Sequence, residues 1–151
     1  MLLILLALSW QVATLSDPLG RPVYVAEVAP DSARSLRFLC GGMTGVVLQF
    51  NLGRITPSAD AFSLNEPRPE NVRFTFAEGN YDTTAVRAPI TDGIGTYEIK
   101  GEEAIFVLSL MRDSEQVEVQ HAGGTADFPL TGARAAIDET RAACPYKYPD
   151  L

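Results

Sequence analysis

The 151-residue chain is poor in the residue types from which most catalytic and metal sites are built, with one histidine and two cysteines. A hydrolase of the serine or papain type would have to use His121 as its base, and no Gly-x-Ser-x-Gly nucleophile elbow accompanies it. The strand reading below ends beside His121, next to Gly123-Gly124, which makes it a surface residue near a turn. Neither a Cys-x-x-Cys pair nor a histidine-rich spacing occurs, so no metal site is expected. The Asp-x-Asp-x-Asp pattern of a calcium loop is missing as well. Lys and Arg number 12 against 19 Asp and Glu, a net charge of −7 that disfavours nucleic acid as a partner. No apolar run approaches the roughly 20 residues needed to span hydrocarbon as a helix. Glycine clusters at Gly41–Gly45 ("GGMTG") and Asp92–Gly95 ("DGIG") lack the Gly-Lys-Ser/Thr ending of a phosphate loop, and both read as hairpin turns. No cofactor is implied, and neither internal repeats nor low-complexity runs appear.

What is present suits one folded domain. Apolar residues make up 46% of the chain and charged residues 21%, enough to bury a core. The 12 glycines and 10 prolines punctuate the chain often, which favours short strands over long helices. Leu2 to Ala7 is a solid apolar run, and no charge precedes Asp17. This matches the apolar core of a secretory signal, with Ala7 and Ser9 as the small residues that flag cleavage before Trp10. The expected organisation is a signal peptide over 1–9, one β-rich domain over 10–144 and a tail over 145–151. The competing reading makes residues 2–15 a single buried strand or helix of a cytoplasmic protein.

Beyond Trp10 the pattern alternates, with Trp10, Val12 and Thr14 on one face of a strand. Further strands are read at Pro22–Val28, Ser35–Cys40, Val46–Leu52, Val72–Tyr81, "TYEIKG", Glu115–Ala122 (with Val117 and Val119 inward) and "ADFPL". Ala104–Met111 is apolar on both faces and suits a central strand covered on both sides. Thr56–Pro69 carries three prolines and little periodicity, so it reads as a long surface connection. The single convincing helix is Thr131–Cys144, with Thr131 as N-cap and Pro145 as stop. The expected fold is mainly β: an antiparallel β-sandwich or a partly open barrel with one C-terminal α-helix.

Cys40 ends an inward-facing strand pattern, and Cys144 lies on the apolar stripe of the helix. In an oxidising compartment an even count favours a Cys40–Cys144 disulfide; the alternative is two separate buried thiols. Glu102 and Glu103, adjacent in the strand reading, should point to opposite faces and not converge as an acid–base pair. Asp138 and Glu139 fall on the solvated side of the helix. In the tail, Tyr146, Lys147 and Tyr148 stand among prolines, a composition that docks in grooves; alternatively, the tail covers the domain's own sheet edge.

The order of landmarks carries a resemblance. "WQVATLSDPLGRPVYVA" (Trp10–Ala26) opens the mature chain, "SLRFLC" ends a strand in cysteine, and "DFPLTGARAAIDETRAAC" (Asp127–Cys144) supplies a last strand, a short helix and the second cysteine. This resembles the VasI-like exported accessory proteins associated with type VI secretion. The resemblance implies a periplasmic, non-catalytic accessory role and transfers no site residues. The expected function is therefore an exported, non-catalytic binding protein, periplasmic or secreted, with a protein partner in the cell envelope. It would have no membrane span after signal cleavage. The alternative is an acidic inhibitor of a basic, lysozyme-like enzyme, with the −7 charge speeding encounter.

Overall fold

The computed structural model describes residues 9–54, 67–88, 93–121 and 124–146. Outside the described residues lie the expected signal segment through Leu8, the Thr56–Pro69 connection as far as residue 66, Asp92, Gly123, and Lys147 and Tyr148 of the tail.

Alternating apolar residues and frequent turns produce nine strands: β1 (Gln11–Ser16), β2 (Pro22–Val28), β3 (Arg34–Gly41), β4 (Gly45–Arg54), β5 (Arg68–Phe76), β6 (Gly79–Arg87), β7 (Ile94–Lys100), β8 (Gln116–His121) and β9 (Gly124–Pro129). Among the described residues there are two helices, α1 (Gly101–Arg112) and α2 (Ala133–Ala143). The strands form one antiparallel sheet in the order β1-β2-β3-β4-β7-β6-β5-β8-β9. Two meanders, β1–β4 and β5–β7, meet at the β4–β7 ladder, and the β8–β9 hairpin adds to the far side of β5.

The mainly β, antiparallel expectation holds in its open-barrel form, as one rolled sheet instead of two facing ones. β1 and β9 share no ladder, yet the Trp10 indole Nε1 donates to the Pro129 carbonyl at 2.9 Å, so the two ends of the sheet nearly meet. The rolled face encloses the core, in which Phe38, Phe50, Phe74, Tyr97 and Phe128 are almost completely buried. Phe50 stacks on Tyr97 at 5.4 Å between ring centroids and meets Phe74 edge-on at 5.7 Å. A smaller cluster, Val23, Val25, Leu39 and Val47, occupies the alternate positions of β2, β3 and β4.

Ala104–Met111 is not a strand; it forms most of α1. Its buried residues are Ala104, Ile105, Val107, Leu108 and Met111, a spacing of 3 to 4 that a strand cannot place on one face. The run looked apolar on both faces because its partly exposed side also carries Phe106 and Leu110, while α1 packs on β4 and β7 beneath and against α2 beside it. Gly101, at φ +67, lets β7 pass into α1 without a loop. Glu102 and Glu103 sit in the first turn and Arg112 in the last, each complementing the helix dipole.

α2 begins two residues later than expected. Gly132, at φ +79, takes the N-cap position, so Thr131 makes no cap. Ala133, Ala136, Ile137 and Thr140 are buried where α2 lies over β1, β2 and β3. β5 starts earlier than Val72, at Arg68, and includes Pro69. β8 pairs with β5 only from Arg73 to Thr75, leaving one side of the early β5 residues unpaired, where a proline's missing N–H is tolerated.

Candidate functional site

The alternation that buries Val72 and Phe74 also turns Glu70 toward the rolled interior, and in the same way Arg87 follows Ala85, and His121 follows Val119. These three residues and Tyr97 of β7 form a polar quartet at one end of the enclosed face. Arg87 Nε donates to Glu70 Oε1 at 3.0 Å, and Glu70 Oε2 lies 3.9 Å from His121 Nδ1. The Tyr97 hydroxyl is 3.2 Å from His121 Nδ1 and 3.3 Å from Nε2, with the two rings 4.7 Å apart.

His121 is therefore not a surface residue, because its side chain is only 4% exposed. Proximity to a turn describes its backbone, whereas strand parity points its ring into the core. Burial pushes the imidazole pKa below its ordinary value, and the neighbouring Arg87 adds to this while Glu70 opposes it. Burial and the Glu70 carboxylate both push the Tyr97 phenol upward. The quartet thus holds a neutral imidazole beside a neutral phenol. It contains a base and a phenol but no serine or cysteine for the base to activate.

A pH dependence follows. The unfolded chain protonates His121 near 6.5, and the folded chain only at lower pH, so the unfolded state binds more protons in between. Stability should fall as pH drops below about 6.5, with the contribution lost progressively toward the folded pKa. Thermal melts at steps between pH 8 and 5 check this. His121→Gln should flatten the slope in that window, and an unchanged slope would show that His121 does not govern it.

A second, half-buried polar junction fastens α1 to the sheet. The Tyr81 hydroxyl and Thr83 Oγ1 both donate to Glu103 Oε1, each at 2.6 Å. That bond, with burial, raises the Tyr81 pKa to about 12. Glu102, its sequence neighbour, is exposed. The two carboxylates do diverge, but from a helical turn and not from a strand. Asp138 accepts from Arg112 at 2.8 and 3.0 Å, tying α2 to α1, while Glu139 is exposed.

Cys40 and Cys144 are joined in a disulfide whose Cα atoms lie 5.6 Å apart, linking β3 to the end of α2. Just beyond it, the Tyr146 hydroxyl donates to the Gly42 carbonyl at 3.1 Å, so the start of the tail lies against the β3–β4 turn. Among the described residues no group of three metal-ligating side chains converges, and no helix is long and apolar enough to cross a membrane.

A further concavity was not expected from the sequence. An open groove of about 1200 Å³ runs along the turns between β5 and β6, between α1 and β8, and over the β8–β9 hairpin. Five carboxylates line it: Glu78, Asp113, Glu115, Glu118 and Asp127. Glu118 and Asp127 face each other directly across the β8–β9 ladder, a pairing that costs stability. Asp113 is paired with Arg134, but among the described residues Glu78, Glu115, Glu118 and Asp127 form no ion pair. The sequence signal was the net charge alone; the gathering of acids from four separate segments depends on the strand order. No protein-family model, curated protein or solved structure matches the chain.

Proposed function

We propose that this is an exported, non-catalytic binding protein of the cell envelope that uses the acidic groove to hold a basic protein surface. The observation that carries the reading is the Glu118–Asp127 pair, two carboxylates placed face to face that form no ion pair among the described residues, while Arg34, which also lines the groove, is paired with Asp31. Such a pair opposes folding by itself and is relieved when a Lys- or Arg-bearing partner arrives. The buried disulfide supports an oxidising compartment. An accessory role in a secretion assembly, as in the VasI-like proteins, is one setting for such a partner. The same groove also suits an inhibitor of a basic lysozyme-like enzyme.

The test uses a photo-crosslinking amino acid in the native cell, at Gln116 in the groove and at exposed Val86 away from it. Adducts should form from Gln116 only, with a partner of basic composition. Glu118→Gln with Asp127→Asn should weaken that partner's binding about tenfold, or about 1.4 kcal/mol. Raising salt from about 50 to 300 mM should weaken it further. No groove-specific adduct, or an adduct indifferent to both changes, would sink the reading. Turnover of a basic lysozyme with added protein separates the two settings, since only the inhibitor lowers it.

A further inference from the structure

The two edges of the sheet are finished differently. β9 carries Asp127 and ends in Pro129, both of which discourage another strand from pairing. β1, "QVATLS", has no charge, no proline and no glycine, and all six residues are exposed. Its ladder with β2 runs unbroken from Gln11 to Ser16 with no bulge, so its backbone is a regular strand to its outer side. Val12 and Leu15 are 42% and 49% exposed. In this register the backbone N–H and C=O groups of Val12, Thr14 and Ser16 point away from β2, so a neutral, β-prone edge offers them to any strand that fits.

We infer that β1 is a self-pairing edge, through which two copies of the chain join their sheets by an antiparallel β1–β1 ladder. A chain of charge −7 can approach its own copy most cheaply where its surface carries no charge, and β1 is such a place. The flanking charges are already neutralised, Asp17 by Arg21 and Glu27 by Arg37. Glu139, beside the inner face of β1, is the nearest acidic group without an ion pair among the described residues.

A two-fold axis perpendicular to the sheet keeps like faces together, so the paired residues must share parity. Centring it on Thr14 sets Thr14 opposite Thr14 of the second copy, Ala13 opposite Leu15, and Val12 opposite Ser16. Ala13 and Leu15, which pair with Val25 and Val23 in β2, then continue the Val23–Val25–Leu39–Val47 cluster across the axis. One strand pair is a small interface, below about 1,200 Å², so the dimer is a weak one that forms at tens of micromolar or above.

This self-association does not rest on the acidic groove and has the opposite salt response. Screening reduces repulsion between two −7 chains, so added salt should strengthen the dimer, whereas it weakens a basic partner's hold on the groove. Sedimentation velocity of the full chain from about 5 to 200 μM, in low and high salt, reads this out. Ala13→Lys with Leu15→Lys should weaken dimerisation at least tenfold while leaving the melting temperature unchanged. Thr14→Cys should give a disulfide-linked dimer on mild oxidation, and Thr125→Cys on the guarded β9 edge should not. A monomer throughout, a dimer untouched by the lysine pair, or equal cross-linking at both edges would overturn the inference. So would capture of an extended peptide from another protein at β1 with no self-association.

Discussion

Replacing Cys40 and Cys144 by alanine lowers the stability of the protein by about 4–5 kcal/mol, the larger of two dominant expected effects. The bond closes a loop with a sequence separation of 104 residues. Fixing the ends of so long a loop removes conformational entropy from the unfolded chain, worth about 4.7 kcal/mol for 100 residues. For a chain of this size that is a fall of about 10–20 °C in melting temperature. Cys40 and Cys144 are 0% and 3% exposed and both belong to the main core, so removing the sulfurs also costs some packing. Calorimetry of the oxidised protein and of the double variant measures the difference. A drop under about 3 °C would mean that the burial of α2 on β1, β2 and β3, and not the covalent tie, holds the fold together. Because the bond is buried, a reductant should act on it only through unfolding, at a rate that rises with denaturant.

How much of this was written in the sequence depends on the range of each signal. Alternation is local, so β3, β8 and the hairpin through Gly42–Thr44 were legible from a few residues each. The Cys40–Cys144 pair was legible from an even count and two inward-facing positions. α1 was misread because its partly exposed side also carries apolar residues, Phe106 and Leu110, which hides the polar face that distinguishes a helix from a strand. The decisive marks were weaker: acids at Glu102 and Glu103, a base at Arg112, and buried positions spaced by 3 and 4. His121 shows the reverse error. The parity that turned Val117 and Val119 inward also turns His121 inward, but its place beside a turn outweighed that signal.

The quartet and the groove were not legible at all. Glu70 fell near a stretch read as connection, Arg87 comes from β6, and Tyr97 from β7. Only the strand order β7-β6-β5-β8 brings them together. The same holds for Glu103, whose partners Tyr81 and Thr83 come from a different strand. Topology assembles both sites, and a single sequence carries little information about which distant strands become neighbours.

The second large effect concerns Trp10, the core residue immediately before β1. Its ring is 7% exposed within the main core, its indole bonds the Pro129 carbonyl, and its backbone and Cβ lie close to Gly132. It therefore links the β1 end of the sheet to the β9 end and to the entry of α2. Trp10→Ala should cost about 3–5 kcal/mol, since the cavity lies where no ladder lets the sheet collapse inward. Trp10→Phe should cost less, about 1–3 kcal/mol, as it keeps most of the apolar contact but leaves the Pro129 carbonyl unsatisfied. Urea unfolding followed by far-ultraviolet circular dichroism gives both values with the only tryptophan removed. A loss under about 1 kcal/mol for Trp10→Ala would show that the gap between β1 and β9 needs no seal. Truncation sharpens the point, because a chain beginning at Trp10 keeps this seal and one beginning at Gln11 does not. The first should match the full-length domain in stability and the second should behave like Trp10→Ala.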